Sequence, residues 1–96
     1  MEQKIQLRHP AGKKALRMDK GKYDTLKKMI LNHLKIKGES THTEIFHSIN
    51  EELKKDKIKF EGSVEWHLEW VKLDLEAGKK IKRIGDKTPV KFAIVK

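Results

Sequence analysis

The side chains that could bind a metal or move a proton are the histidines at positions 9, 33, 42, 47 and 67 and the carboxylates Glu44, Glu65 and Glu69. Their spacing argues against both chemistries. His42-x-Glu44-x-x-His47 lacks the His-Glu-x-x-His order of a zinc protease helix, and two side chains five residues apart diverge by about 140° around a helix. Glu65 and Glu69 share a helical face, but His67 points away from it. Gly12-Lys13-Lys14 lacks the glycine and strand that precede a phosphate-binding loop, and Ser40, Ser48 and Ser63 have no nucleophile-elbow context. The expectation is a protein that is not an enzyme, with no metal and no cofactor.

What remains is charge. Twenty-three Lys and Arg against fourteen Asp and Glu give a formal net charge of +9, which attracts polyanions and speeds encounter with them. The excess is concentrated: Met1 to Lys22 carries seven positive and two negative side chains. Candidate contacts to a nucleic-acid backbone are Lys4, Arg8, Lys13, Lys14 and Arg17 in this arm and Lys82, Arg83, Lys87 and Lys91 near the C-terminus. Lysines at 54 to 59, 79 and 80 add to the same surface. Arginine occurs only at 8, 17 and 83. Since arginine is the residue suited to bidentate guanine reading, backbone contact is favoured over base reading. A solvated lysine face is the competing reading.

Those side chains need elements to hold them. Residues 1–18 form a basic arm, broken by Pro10 and Gly12, with Ile5 and Leu7 alternating as in a short extended piece. Asp19 is a suitable N-cap for a first helix ending before Gly38, with Tyr23, Leu26, Ile30 and Leu34 on one stripe. Thr41-His-Thr-Glu44 fits a capping box and predicts a second helix from Thr41 to about Lys55, burying Ile45, Ile49 and Leu53. Ile58 and Phe60 should dip toward the core from a Lys-rich link. Ser63 caps a third helix that Gly78 stops. Ile81–Ile84 and the alternating Val90, Phe92 and Ile94 then predict an antiparallel hairpin, turned by Gly85, Asp86 and Pro89. Three helices then a hairpin, with residues 39–41 as a short first strand, is the order of a winged helix. The predicted class is α+β, with the arm at 1–18 and a winged-helix-like domain at 19–96.

Asp19-Lys20-x-Lys22-Tyr23-Asp24, Val71-Lys-Leu-Asp-Leu-Glu-Ala77, Ile81-Lys-Arg-Ile84 and the arm's His9-Pro10-Ala11-Gly12-Lys13 resemble a family of small uncharacterised bacterial proteins. The resemblance covers nearly the whole chain. It implies a winged-helix-like fold and supplies no established activity. The link between the second and third helices is longer than the usual three or four residues of a helix-turn-helix.

The third helix has two apolar stripes at about 100° per residue. Val64, Leu68, Val71 and Leu75 form one, and Trp66, Trp70, Leu73 and Ala77 lie roughly opposite. Glu65, Glu69, Lys72 and Glu76 share one polar flank, and His67 and Asp74 the other. In a DNA-binding winged helix this element enters the major groove, where a row of carboxylates would be repelled by phosphates. Duplex DNA, if bound, should therefore be held by arm and wing. The alternative is a protein-interaction module or homodimer using Trp66, Trp70 and Leu73, with the arm itself as a competing cover for that stripe. No cysteine is present, and no apolar run approaches the roughly 20 residues of a membrane span. A cytoplasmic protein without a membrane partner is the expectation.

Overall fold

A computed structural model of the chain describes residues 3–58, 60, 62–85 and 90–95. Its elements are β1 (Lys4–Gln6), β2 (Arg17–Asp19), α1 (Lys20–Lys37), β3 (Ser40–Thr41), α2 (His42–Lys55), α3 (Val64–Ala77), β4 (Ile81–Ile84) and β5 (Lys91–Ile94). This is a mixed α+β architecture of three helices and two small antiparallel sheets.

Each helix begins where a side chain satisfies its first N–H groups. Asp19 accepts from the Lys22 N–H, Ser63 accepts from the Trp66 N–H, and Thr41 and Glu44 close a reciprocal capping box at 3.2 and 2.9 Å. Four amides at each helix start lack intrahelical partners, and a cap removes part of that deficit. α1 ends at Gly38, whose φ of 77° suits glycine and whose N–H bonds the Leu34 carbonyl.

The three-stranded sheet has the order β3-β5-β4. β4 and β5 pair as a hairpin with Arg83 opposite Phe92, and β3 pairs with β5 through Ser40 opposite Phe92. The hairpin turn expected at Asp86 and Pro89 lies outside the described residues. Leu26 and Ile30 of α1, Ile45 and Ile49 of α2, Leu68, Val71 and Leu75 of α3, and Ile81 and Phe92 of the sheet meet in one core.

Residues 3–19, expected as an extended arm, fold back as a second hairpin. Ile5 pairs with Met18, and the Leu7 N–H donates to the Leu16 carbonyl at 3.0 Å. Leu7 and Met18 are buried in the common core, while Ile5, Ala15 and Leu16 pack against it. Full burial of two such side chains contributes on the order of 3–6 kcal/mol, which is what fastens a segment this polar to the body. Ile58, expected to dip inward, is exposed, whereas Phe60 packs against the core.

Candidate nucleic-acid interface

The cations singled out in the sequence separate into groups. Arg8, Lys13 and Lys14 line a depression beside Ala77 at the end of α3. A second depression, of about 520 Å³, lies between α1 and the C-terminal hairpin; Lys28 and Lys35 line it from α1, and Lys79 and Lys80 from the turn into β4. A third shares Lys35, Ile94 and Val95 with the second and adds Lys82. Ala77 of the first and Lys79 of the second flank Gly78. The Arg8 guanidinium lies so close that a Cβ on this glycine would stand 2.5 Å from it. Among the described residues that line these depressions, Glu39 is the one carboxylate, and the imidazole of His9 is the one aromatic ring.

Other predicted cations lie elsewhere. Lys4 and Arg17 are exposed on β1 and β2, and Lys91 is exposed on β5. Arg83 turns toward α3, where its Nε donates to Glu76 Oε1 at 2.5 Å and its guanidinium lies 5.6 Å from the Phe92 ring centroid. Lys87 lies outside the described residues. Lys28 and Lys35 were missed by the sequence reading. Their spacing of seven marks a shared helical face, but nothing local tells that this face meets Lys79 and Lys80.

The hairpin is held by a buried carboxylate. Asp74, only 2 % exposed, accepts from the Tyr23 hydroxyl at 2.5 Å and from the Arg8 backbone N–H at 2.8 Å, with Arg8 Nε at 3.4 Å. Burial and the bond to this carboxylate both push the Tyr23 hydroxyl's pKa up. Asp74 was expected on a polar flank. The hairpin closing over that flank is what buries it, and the carboxylate in turn fixes where Arg8 enters the first depression.

On the opposite flank of α3, Lys72 is likewise buried, at 6 % exposed, rather than solvated with its neighbours as expected. Its ammonium sits 4.2 Å from the Phe92 ring centroid and 3.7 Å from Glu69. Burial pushes its pKa down, with Glu69 and Glu76 acting against that shift. His42, at the start of α2, has Nδ1 3.2 Å from Glu69 and Nε2 3.8 Å from Glu65. Nδ1 has no hydrogen-bond partner, so these contacts are charge proximity rather than aligned bonds. Burial, then Lys72, lowers the His42 pKa against the pull of the two carboxylates. The sequence reading had set His42 and His47 apart and did not connect His42 with α3. Among the described residues, no group of three or more His, Asp or Glu is arranged to hold a metal ion.

The second apolar stripe of α3 is covered unevenly. Trp70 packs partly buried against the core and Ala77 borders the hairpin, but Trp66 remains 49 % exposed. The hairpin contacts described at Asp74 and Ala77 belong to the C-terminal half of the helix, whereas Trp66 stands in its first turn. The outward face of α3 therefore presents Glu65 and Glu69, 60 and 53 % exposed, beside an indole. That face is acidic, and the adjoining depressions are cationic.

No curated protein and no solved structure matches the chain. A family described as "Family of unknown function (DUF6958)" matches residues 4–92, nearly the whole sequence, and the chain belongs to that family.

Proposed function

We propose that the protein binds the phosphate backbone of duplex DNA through a cationic belt, with little base specificity and without inserting α3 as a reader. One observation carries this reading: cations from the N-terminal hairpin (Arg8, Lys13, Lys14), α1 (Lys28, Lys35) and the approach to β4 (Lys79, Lys80, Lys82) line three depressions whose described residues include one carboxylate, Glu39, with the acids Glu52 and Asp56 set in a further depression that shares Lys28. Scattered solubilising lysines would be interspersed with acids. A convergent set has the continuity that tracking a phosphate ladder requires. The described lining residues include the imidazole of His9 but no Phe, Tyr or Trp, the rings on which single-strand binders chiefly stack bases, which favours a duplex.

The order α1-β3-α2-α3-β4-β5, with strand order β3-β5-β4, supports a winged-helix-like module. In this one the helix that usually enters the groove carries Glu65 and Glu69 outward, which moves binding to the flanks. A transcription-regulator-like role in a bacterial cytoplasm, where DNA is reached, fits this reading.

The test is fluorescence anisotropy of a labelled duplex. Neutralising about six phosphates lowers affinity by about 10³-fold between 50 and 200 mM salt, and a scrambled duplex should bind within a few-fold of the first. Absence of binding at about 50 mM salt overturns the proposal.

A further inference from the structure

We infer that the outward face of α3 is a docking surface for a lysine- and arginine-rich segment of a partner protein, centred on Trp66. This surface is separate from the cationic belt and does not depend on it.

The indole is half exposed, yet it is held. The His67 ring meets it edge-on at 4.9 Å between centroids and 80° between planes, and His67 Nδ1 lies 2.7 Å from the Ser63 carbonyl. Phe60 backs His67 with a second edge contact at 5.0 Å. Gly62, at φ 89°, comes so near that a Cβ there would lie 3.2 Å from the His67 ring. Phe60 and Gly62 thus hold the His67 ring, and that ring in turn braces one edge of the Trp66 indole. A rigid, exposed aromatic loses little freedom on binding, as aromatic anchors of interfaces do.

Charge decides the occupant. Glu65 and Glu69 flank Trp66, and their partners within the chain are His42, at 3.2 to 3.8 Å, and Lys72, at 3.7 Å. Both carboxylates keep more than half their surface in solvent. A guanidinium or ammonium laid on the indole face would reach one of these carboxylates and gain a cation–π contact as well. Of the chain's cations, Lys22 lies over the Phe60 ring at 5.5 Å and Lys72 lies 3.7 Å from Glu69, and repulsion from cations beyond about 8 Å is largely screened at physiological salt, so the net charge of +9 does not forbid this. A symmetric dimer through this face would oppose like carboxylates, which disfavours a second copy.

The experiment follows the anisotropy of a fluorescein-labelled peptide of alternating arginine and leucine, titrated with the full chain at physiological salt. Saturable binding is expected. Trp66→Ala should weaken it about thirtyfold, equivalent to about 2 kcal/mol, the scale of a truncated aromatic hot spot. Glu65→Gln with Glu69→Gln should weaken it comparably, while Lys79→Gln with Lys80→Gln should leave it unchanged. The carboxylate pair keeps the test valid should Trp66→Ala misfold. No saturable binding, or equal binding by the carboxylate variant, overturns the inference. Trp66-dependent self-association in sedimentation without peptide binding overturns it too, by making a second copy the occupant.

Discussion

Replacing Asp74 by Asn removes one charge and almost no volume, so its effect isolates what the buried carboxylate does. Asp74 accepts from the Tyr23 hydroxyl at 2.5 Å and the Arg8 N–H at 2.8 Å. An asparagine can keep its carbonyl oxygen on the Arg8 N–H and turn its amide N–H₂ to the Tyr23 oxygen, which reverses that bond, removes its charge and leaves the hydroxyl hydrogen without the carboxylate that accepted it. Charge-assisted bonds are roughly twice as strong as neutral ones, and a buried donor left without a partner costs about 1–3 kcal/mol. Together the change should cost about 2–3 kcal/mol, out of a total near 5–14 kcal/mol for a chain of this length. At 4–8 °C per kcal/mol the Tm falls by roughly 10–20 °C. Thermal unfolding by circular dichroism measures this, and a double-mutant cycle with Tyr23→Phe measures the coupling. About 1 kcal/mol or more of non-additivity is expected for two groups in direct contact. Additive effects within about 0.5 kcal/mol would refute the shared bond. Amides of residues 3–18 should also exchange faster in Asp74→Asn, because that carboxylate ties the hairpin to α3.

Alkaline pH gives a second handle on the same bond. The Tyr23 pKa is raised above 10, so the folded chain holds a proton that the unfolded chain releases. This stabilisation is complete below pH 10 and is lost as pH rises, at up to about 1.4 kcal/mol per pH unit. Wild type minus Tyr23→Phe in urea midpoints should show that slope above pH 10 and none below it. At the acid end, burial lowers the pKa of both His33 and His42 from 6.5. The folded state then binds fewer protons than the unfolded one, and stability falls as pH drops below 6.5. His33→Asn, which can keep a bond to Ser40, now at 2.9 Å from the ring, should flatten part of that fall. Thr41→Ala should lose about 1 kcal/mol by opening the capping box, seen as a Tm drop of about 4–8 °C.

What was legible in the sequence was what neighbouring residues decide. The box Thr41 to Glu44 lies within four letters, and the observed helix follows it. Asp19, Ser63, Gly38 and Gly78 mark helix ends for the same reason. β2 escaped because Arg17-Met18-Asp19 carries one apolar residue, too few to show alternation, and because Asp19 signals a helix start at the same place. The flanks of α3 were sorted correctly by angle, but burial of Asp74 and Lys72 depends on Arg8, Tyr23 and Phe92, far away in sequence. Likewise, the meeting of Lys28 and Lys35 with Lys79 and Lys80 is set by how α1 packs beside the sheet. Spacing tells which side of a helix a residue occupies and not what comes to lie on it.

Equal charge removed from two places tests the belt most directly. Lys35, Lys79 and Lys80 lie within it, while Lys54, Lys55 and Lys57 are exposed at the end of α2. With all three of either set changed to Gln, the dependence of log affinity for duplex DNA on log salt is measured. A belt that tracks phosphates predicts a slope shallower by about 2.7 for the first set and unchanged for the second. Equal losses from both sets would show that net charge alone attracts the duplex, contradicting a defined interface.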